Sequence, residues 1–168
     1  LTSSVMSAGP GPTNATALSA DERACLLELA REALAAHLED RPRAPRENAI
    51  ATPRLLAPGA AFVTLRRNGD LRGCLGTTRF ERPLVEIVPE LAVSAATNDT
   101  RFHPVARDEL PELSVSISVL GPLEPARIDA IEIGTHGLVV RWKGHAGLLL
   151  PQVASERGWT PRQFLAET

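Results

Sequence analysis

The sequence is sparing with the residues that usually betray a function. It has two cysteines, Cys25 and Cys74, four histidines and 4% aromatic residues in a chain of 168. The cysteines lie in unrelated contexts and give neither a disulfide framework nor a metal-ligand spacing, so a reduced, cytoplasmic setting is expected. Four scattered histidines add no ligand set, and no metal is expected. The formal net charge of -2 lacks the basic excess of a phosphate-backbone binder. The low aromatic content leaves little for bases to stack on, which argues against nucleic acid as a partner. No apolar run nears the ~20 residues that cross a bilayer, so no membrane span is expected. A glycine-rich phosphate loop, a Gly-x-Gly-x-x-Gly fingerprint, a His-Glu-x-x-His pair and a nucleophile elbow are all missing, and no cofactor is implied.

What is present reads as one globular domain with a real core, apolar at 43% and charged at 23%. Residues 1–18, rich in Ser, Ala, Gly, Pro and Thr, lack a basic start and an apolar run, and read as a disordered leader. Ser19 and Glu22 form a capping box that opens a helix with an apolar stripe through Leu26, Leu27, Ala30, Leu34 and Leu38. The prolines of Arg41–Arg46 end it in a solvated loop. Phe62-Val63-Thr64-Leu65, Asn68-Gly69 and the following strand spell a hairpin. Leu84 to Asn98 reads as a second helix that Pro89 kinks or shortens. Leu113–Leu120 alternates apolar residues with serines, the pattern of a strand. Residues 133–140 and 146–150 read as two more strands joined through Lys143-Gly144. A short helix follows from Pro151 to Gly158, and a last one is capped by Thr160. The expected class is α+β, with an antiparallel or mixed sheet flanked by helices in a two-lobed single domain.

The chemistry concentrates in Leu71-Arg72-Gly73-Cys74-Leu75-Gly76. Glycine weakens a strand unless something approaches its backbone closely, so two glycines around one cysteine call for a reason. With a two-residue turn, Arg67 faces Asp70, Leu65 faces Arg72 and Val63 faces Cys74, which puts Arg72 and Cys74 on one face. A cationic neighbour favours the reactive thiolate form of a cysteine, so Cys74 reads either as a nucleophile or as a small strand residue packed in the interior. Arg72 reads as an anion holder, with Gly73 and Gly76 amides beside it, or as a surface cation paired with Asp70 or Asp99. His136, between Gly134 and Gly137, is a candidate base or a turn histidine bonded to backbone. Asp99 and Arg101 straddle the end of the second helix and either pair with each other or reach the Cys74 hairpin. Glu109 and Glu112 read as solvated.

One family carries these features in the same order. Gly59-Ala60 and Phe62–Leu65 precede Leu71–Gly76; Ala95-Ala96, Asp99, Arg101-Phe102, Pro104 and Glu109-Leu110 follow. Ser118-Val119-Leu120, His136-Gly137-Leu138, Leu150-Pro151, Gly158-Trp159 and Phe164-Leu165 complete the set. Over residues 19–168 the chain resembles the AMMECR domain family. That resemblance implies a two-lobed α/β domain with the cysteine motif near a cleft. In prokaryotes it implies company with a Memo-like protein and a radical S-adenosylmethionine protein. It carries no settled reaction. Family members usually continue past the Phe164-Leu165 helix with a segment returning to the sheet, so a domain lacking that segment is expected here. The resulting expectation is an enzyme or enzyme subunit acting on a small molecule. Cys74 and His136 would be catalytic, and Arg72, Gly73, Gly76, Asp99 and Arg101 would bind the ligand. The alternative is a non-catalytic adaptor for the two partner proteins.

Overall fold

Local signals in the sequence become elements where the hydrogen-bonding groups at their ends find partners. The computed structural model describes residues 4–8, 18–43, 52–121, 123–143 and 145–168. In chain order these form strand β1 (Ser4–Ala8), helices α1 (Ala20–Leu38) and α2 (Pro53–Leu56), and strands β2 (Pro58–Arg67) and β3 (Asp70–Pro83). Helix α3 (Leu84–Thr97) and strands β4 (Leu113–Leu120), β5 (Leu123–Pro125), β6 (Gly137–Trp142) and β7 (His145–Leu149) follow. Helices α4 (Pro151–Glu156) and α5 (Pro161–Glu167) come last. Every strand pairing among the described residues is antiparallel, so the fold is α+β with antiparallel sheets. No described helix is long and apolar enough to cross a membrane.

The chain divides into two compact units, one of residues 18–120 and one of residues 1–17 with 121–168. In the first, β3, β2 and β4 form a three-stranded sheet in that order. Alternation decides its faces. Ala61, Val63 and Leu65 of β2 are buried in a core with α1 and α3, and Val115, Ile117 and Val119 of β4 pack against it. The serines of β4 occupy the opposite face, as its sequence pattern requires. The α1 capping box forms as expected: the Ser19 amide donates to Glu22 Oε2 at 2.8 Å and the Glu22 amide to Ser19 Oγ at 3.1 Å. Glu22 is also buried and accepts from the Thr52 hydroxyl, which itself caps α2. Helix α3 runs continuously through Pro89 instead of stopping or starting there. Of the Arg41–Arg46 loop, residues 44–46 lie outside the described residues; Arg41 pairs with Glu32 and Glu39.

The hairpin departs from the expected register at one residue. Asn68 and Gly69 have φ of 51° and 92°, the two-residue turn that their sequence signals. Arg67 faces Asp70 and Arg66 faces Leu71, but Leu65 then faces Gly73 and Thr64 faces Cys74. Arg72 is the extra residue of a β-bulge, so the partners of Leu65 back to Ala61 shift by one, and a second irregularity follows between Ala61 and Gly59. Cys74 therefore lies opposite Thr64, not Val63. The regular alternation that would pair Arg72 with Leu65 and align it with Cys74 is broken.

In the second unit the sheet order is β5, β1, β6, β7. Its core gathers Ile131, Leu138, Ala154 and Phe164. Strand β1 lies within the stretch expected to be a disordered leader; Met6 faces both Pro125 and Val139 in its pairings. The strand expected from residue 133 begins instead at Gly137, because residues 133–135 form a turn in which Gly134 takes φ of 86°. Helix α5 opens with a second capping box, Thr160 with Gln163, and Gly158 follows α4 with φ of 64°.

Candidate functional site

Strand β3 is an edge of its sheet, and Cys74 sits where that edge is sealed by side chains. In an antiparallel pair, alternate residues point both backbone polar groups away from the partner strand. Cys74 is such a residue: its amide donates to Asp99 Oδ2 at 2.8 Å, and its carbonyl accepts from Arg101 Nη2 at 3.5 Å. The Asp99–Arg101 pair thus stands in for a fourth strand at this point of the edge.

Helix α3 delivers both residues. It ends at Thr97, Asn98 bonds back to the Ser94 carbonyl, and Val105 returns to the Ala96 carbonyl at 2.8 Å, so the intervening loop is held against the helix end. Asp99 is 6% exposed and accepts from Arg101 Nε at 2.9 Å, Arg101 Nη2 at 2.6 Å and the Arg101 amide at 3.2 Å. These bonds from Arg101, with the Cys74 amide, hold its carboxyl far below the usual carboxylate range against the opposing effect of burial. Arg101 is half exposed, lies 5.5 Å from the centre of the Phe102 ring, and has its own pKa raised first by Asp99.

The thiol lies on the sheet face opposite the core. Cys74 Sγ is 3.2 Å from Thr64 Oγ1, and either atom can be the donor. The register extends this contact into a row across the sheet: Cys74, Thr64, Ser116. The next row is Gly76, Phe62, Ser118. Cys74 is partly exposed, whereas Cys25 is buried in the core. Thr64 had no individual signal in the sequence; only the bulge at Arg72 brings it opposite the cysteine.

The two glycines have structural reasons. A Cβ on Gly73 would meet the Ala95 carbonyl oxygen of α3 at 2.1 Å, and one on Gly76 would meet the Phe62 ring at 2.4 Å. The close approach that the sequence calls for is made by the protein's own helix and ring.

Arg72 is engaged within the protein. Its Nε and Nη2 form a fork on Glu109, both bonds 2.8 Å, while Nη1 reaches the His103 carbonyl at 2.8 Å and Nη2 the Pro104 carbonyl at 3.3 Å. Every nitrogen of the guanidinium has an acceptor, so it locks the loop after α3 and has no fork left for an anion. Glu109 is buried, not solvated. Arg72, then the Ala106 amide, lower its pKa to about 2 in opposition to burial. Glu112 pairs with Arg67 and Asn68.

His136 belongs to the other unit. Its Nδ1 accepts the Glu132 amide at 3.0 Å, and its own amide donates to the Glu132 carbonyl at 3.0 Å. With Nδ1 accepting, the neutral ring carries its proton on Nε2, so it offers a donor and no free base. The backbone-bonded turn histidine is the form observed. Within residues 18–120, Cys74, Asp99 and Arg101 come together, with Thr64 added. Among the described residues, no three His, Cys, Asp or Glu side chains converge as a metal-ligand set.

Comparison with known proteins bears on the whole arrangement. The AMMECR1 family model matches residues 27–168. A protein of Aeropyrum pernix is 47% identical over 150 residues, covering 83% of this chain and 64% of the relative. One from Methanothermobacter thermautotrophicus is 39% identical over 158 residues, covering 90% of this chain and 82% of the relative. The crystal structure of an uncharacterized protein from Pyrococcus horikoshii superposes with a TM-score of 0.77 at 38% identity, covering 85% of this chain and 75% of that one.

Proposed function

The chain belongs to the AMMECR1 family, and from that premise we propose that it is an enzyme or enzyme subunit in which Cys74 attacks a small molecule. One observation carries the reading: a partly exposed thiol bonded to the Thr64 hydroxyl, on a backbone pinned by buried Asp99. A nucleophile is effective when its position is held by groups that are themselves fixed. Asp99 is fixed by Arg101 and by the end of α3, and Thr64 lies on the central strand of the sheet. In this reading the thiol proton passes to solvent, the Thr64 hydroxyl donates a hydrogen bond that steadies the thiolate, and Asp99 is a positioning residue. The chemistry needs a free thiol, which suits a reducing, cytoplasmic setting. Untargeted metabolite profiling of cells carrying Cys74→Ala tests it: one metabolite class is expected to build up, and an unchanged profile contradicts a catalytic role.

A second reading is favoured by Arg72, Gly73 and Gly76, each of which has a packing role. Here the domain is a non-catalytic adaptor for a Memo-like protein and a radical S-adenosylmethionine protein. Pull-down of those partners that survives Cys74→Ser but fails on surface substitutions supports the adaptor. Absence of any complex removes it.

A further inference from the structure

We propose that the ligand of the Cys74 site carries a carboxylate next to its reacting carbon, and that Arg101 receives that carboxylate. The inference rests on the reading of Cys74 as a nucleophile and adds the class of molecule it acts on. Two arginines flank the cysteine in sequence or space, and their free hydrogen-bonding capacity separates them. Arg72 has all three nitrogens engaged. Arg101 uses Nε and Nη2 on Asp99 and on the Cys74 carbonyl, which leaves Nη1 without a partner among the described residues. Its side chain is 56% exposed while that of its anchor Asp99 is 5% exposed. The guanidinium is thus held on one edge and open on the other.

That geometry selects a carboxylate in particular. Nη2 touches the cysteine's own carbonyl oxygen, so an anion on the open edge lies beside the same residue whose sulfur reacts. Asp99 already balances the charge of Arg101, so the attraction is a directed, charge-assisted hydrogen bond and not a broad positive field. On the same sheet face lie Thr64 and the exposed Ser116, with Phe62 and Ser118 in the next row.

Two reagents that share a reacting carbon and differ in this one group test the idea on the full chain. Iodoacetate and iodoacetamide both alkylate a thiol: sulfur bonds to the methylene carbon, the carbon–iodine bond breaks, iodide leaves with the bonding pair, and the thiol proton passes to buffer. The ratio of their rates at Cys74, read by mass spectrometry, is compared with the same ratio for a free peptide cysteine. We expect the protein ratio to exceed the peptide ratio by roughly three- to tenfold, the range of one charge-assisted hydrogen bond in a half-exposed setting. In Arg101→Gln the ratio of the two rates is expected to return to the peptide value, whatever change in the absolute rates follows from loosening Asp99. On the unaltered protein, which needs no variant to fold, acetate is expected to slow iodoacetamide labelling of Cys74 and acetamide is not. A ratio equal to the peptide's, or no difference between acetate and acetamide, overturns the carboxylate assignment while leaving the thiol reading intact. Failure of both reagents to label Cys74 overturns the two together.

Discussion

Arg72 and Arg101 show how little a residue's type says about its task. Both flank Cys74 and both are forked onto a carboxylate, yet one is enclosed and the other is half open. Sequence proximity to Cys74 favours Arg72, and the structure assigns it to Glu109, 37 residues away along the chain. Breaking that pair leaves a buried carboxylate alone. Arg72→Met is therefore expected to destabilise the protein by roughly 2–3 kcal/mol, somewhat less than a fully enclosed pair because Arg72 is 17% exposed. Urea denaturation measures the loss; labelling of Cys74 by iodoacetamide in the folded state should hardly change. A large fall in labelling with intact stability would restore Arg72 to the site. The same pair sets a pH dependence. Glu109 has a folded pKa of about 2 against an ordinary 4.5. A depressed folded value means that the stabilisation is complete above the ordinary value and drains away as pH falls towards the folded one. The stability gap between the protein and its Glu109→Gln variant should be constant down to about pH 5.5 and fall by more than half by about pH 3. A gap that holds constant to about pH 3 contradicts the assignment.

At the scale of elements, what was legible in the sequence was local. The capping box at Ser19, the Thr160 cap, the Asn68-Gly69 turn and the alternation of β4 each depend on neighbours within a few residues, and each forms as read. The bulge at Arg72 depends on a partner from the loop after α3, which no local pattern reports, and it alone changes which side chain meets Cys74. Strand β1 escaped notice for a related reason: its short Ser- and Ala-containing run becomes a strand only between β5 and β6. The two glycines of the motif were correctly read as marking a close approach, but not what approaches. Two substitutions separate the kinds of glycine involved. Gly69→Ala meets nothing within 4 Å and suffers only the left-handed backbone, a cost of about 1 kcal/mol. Gly73→Ala must displace a backbone carbonyl of α3, which cannot yield as a side chain can, and should cost roughly 3 kcal/mol or more. Equal losses in thermal denaturation would contradict the α3–β3 contact.

For the molecule as a whole, the division into two units fits an α+β chain whose described apolar residues gather in a core within each unit. The core of residues 18–120 supports the site: α3 packs on the sheet, and its C-terminal loop then turns along the β3 edge to seal Cys74. Cys25 and Cys74 belong to the same unit and serve as each other's reference. Cys25 is 4% exposed inside the core, whereas Cys74 is partly exposed on the opposite sheet face. Timed iodoacetamide labelling of the folded protein, with each cysteine quantified separately by mass spectrometry, tests the central claim most directly. Cys74 is expected to react at least as fast as a free peptide cysteine, and Cys25 only after unfolding in urea. Equal protection of both cysteines in the folded state would contradict the account.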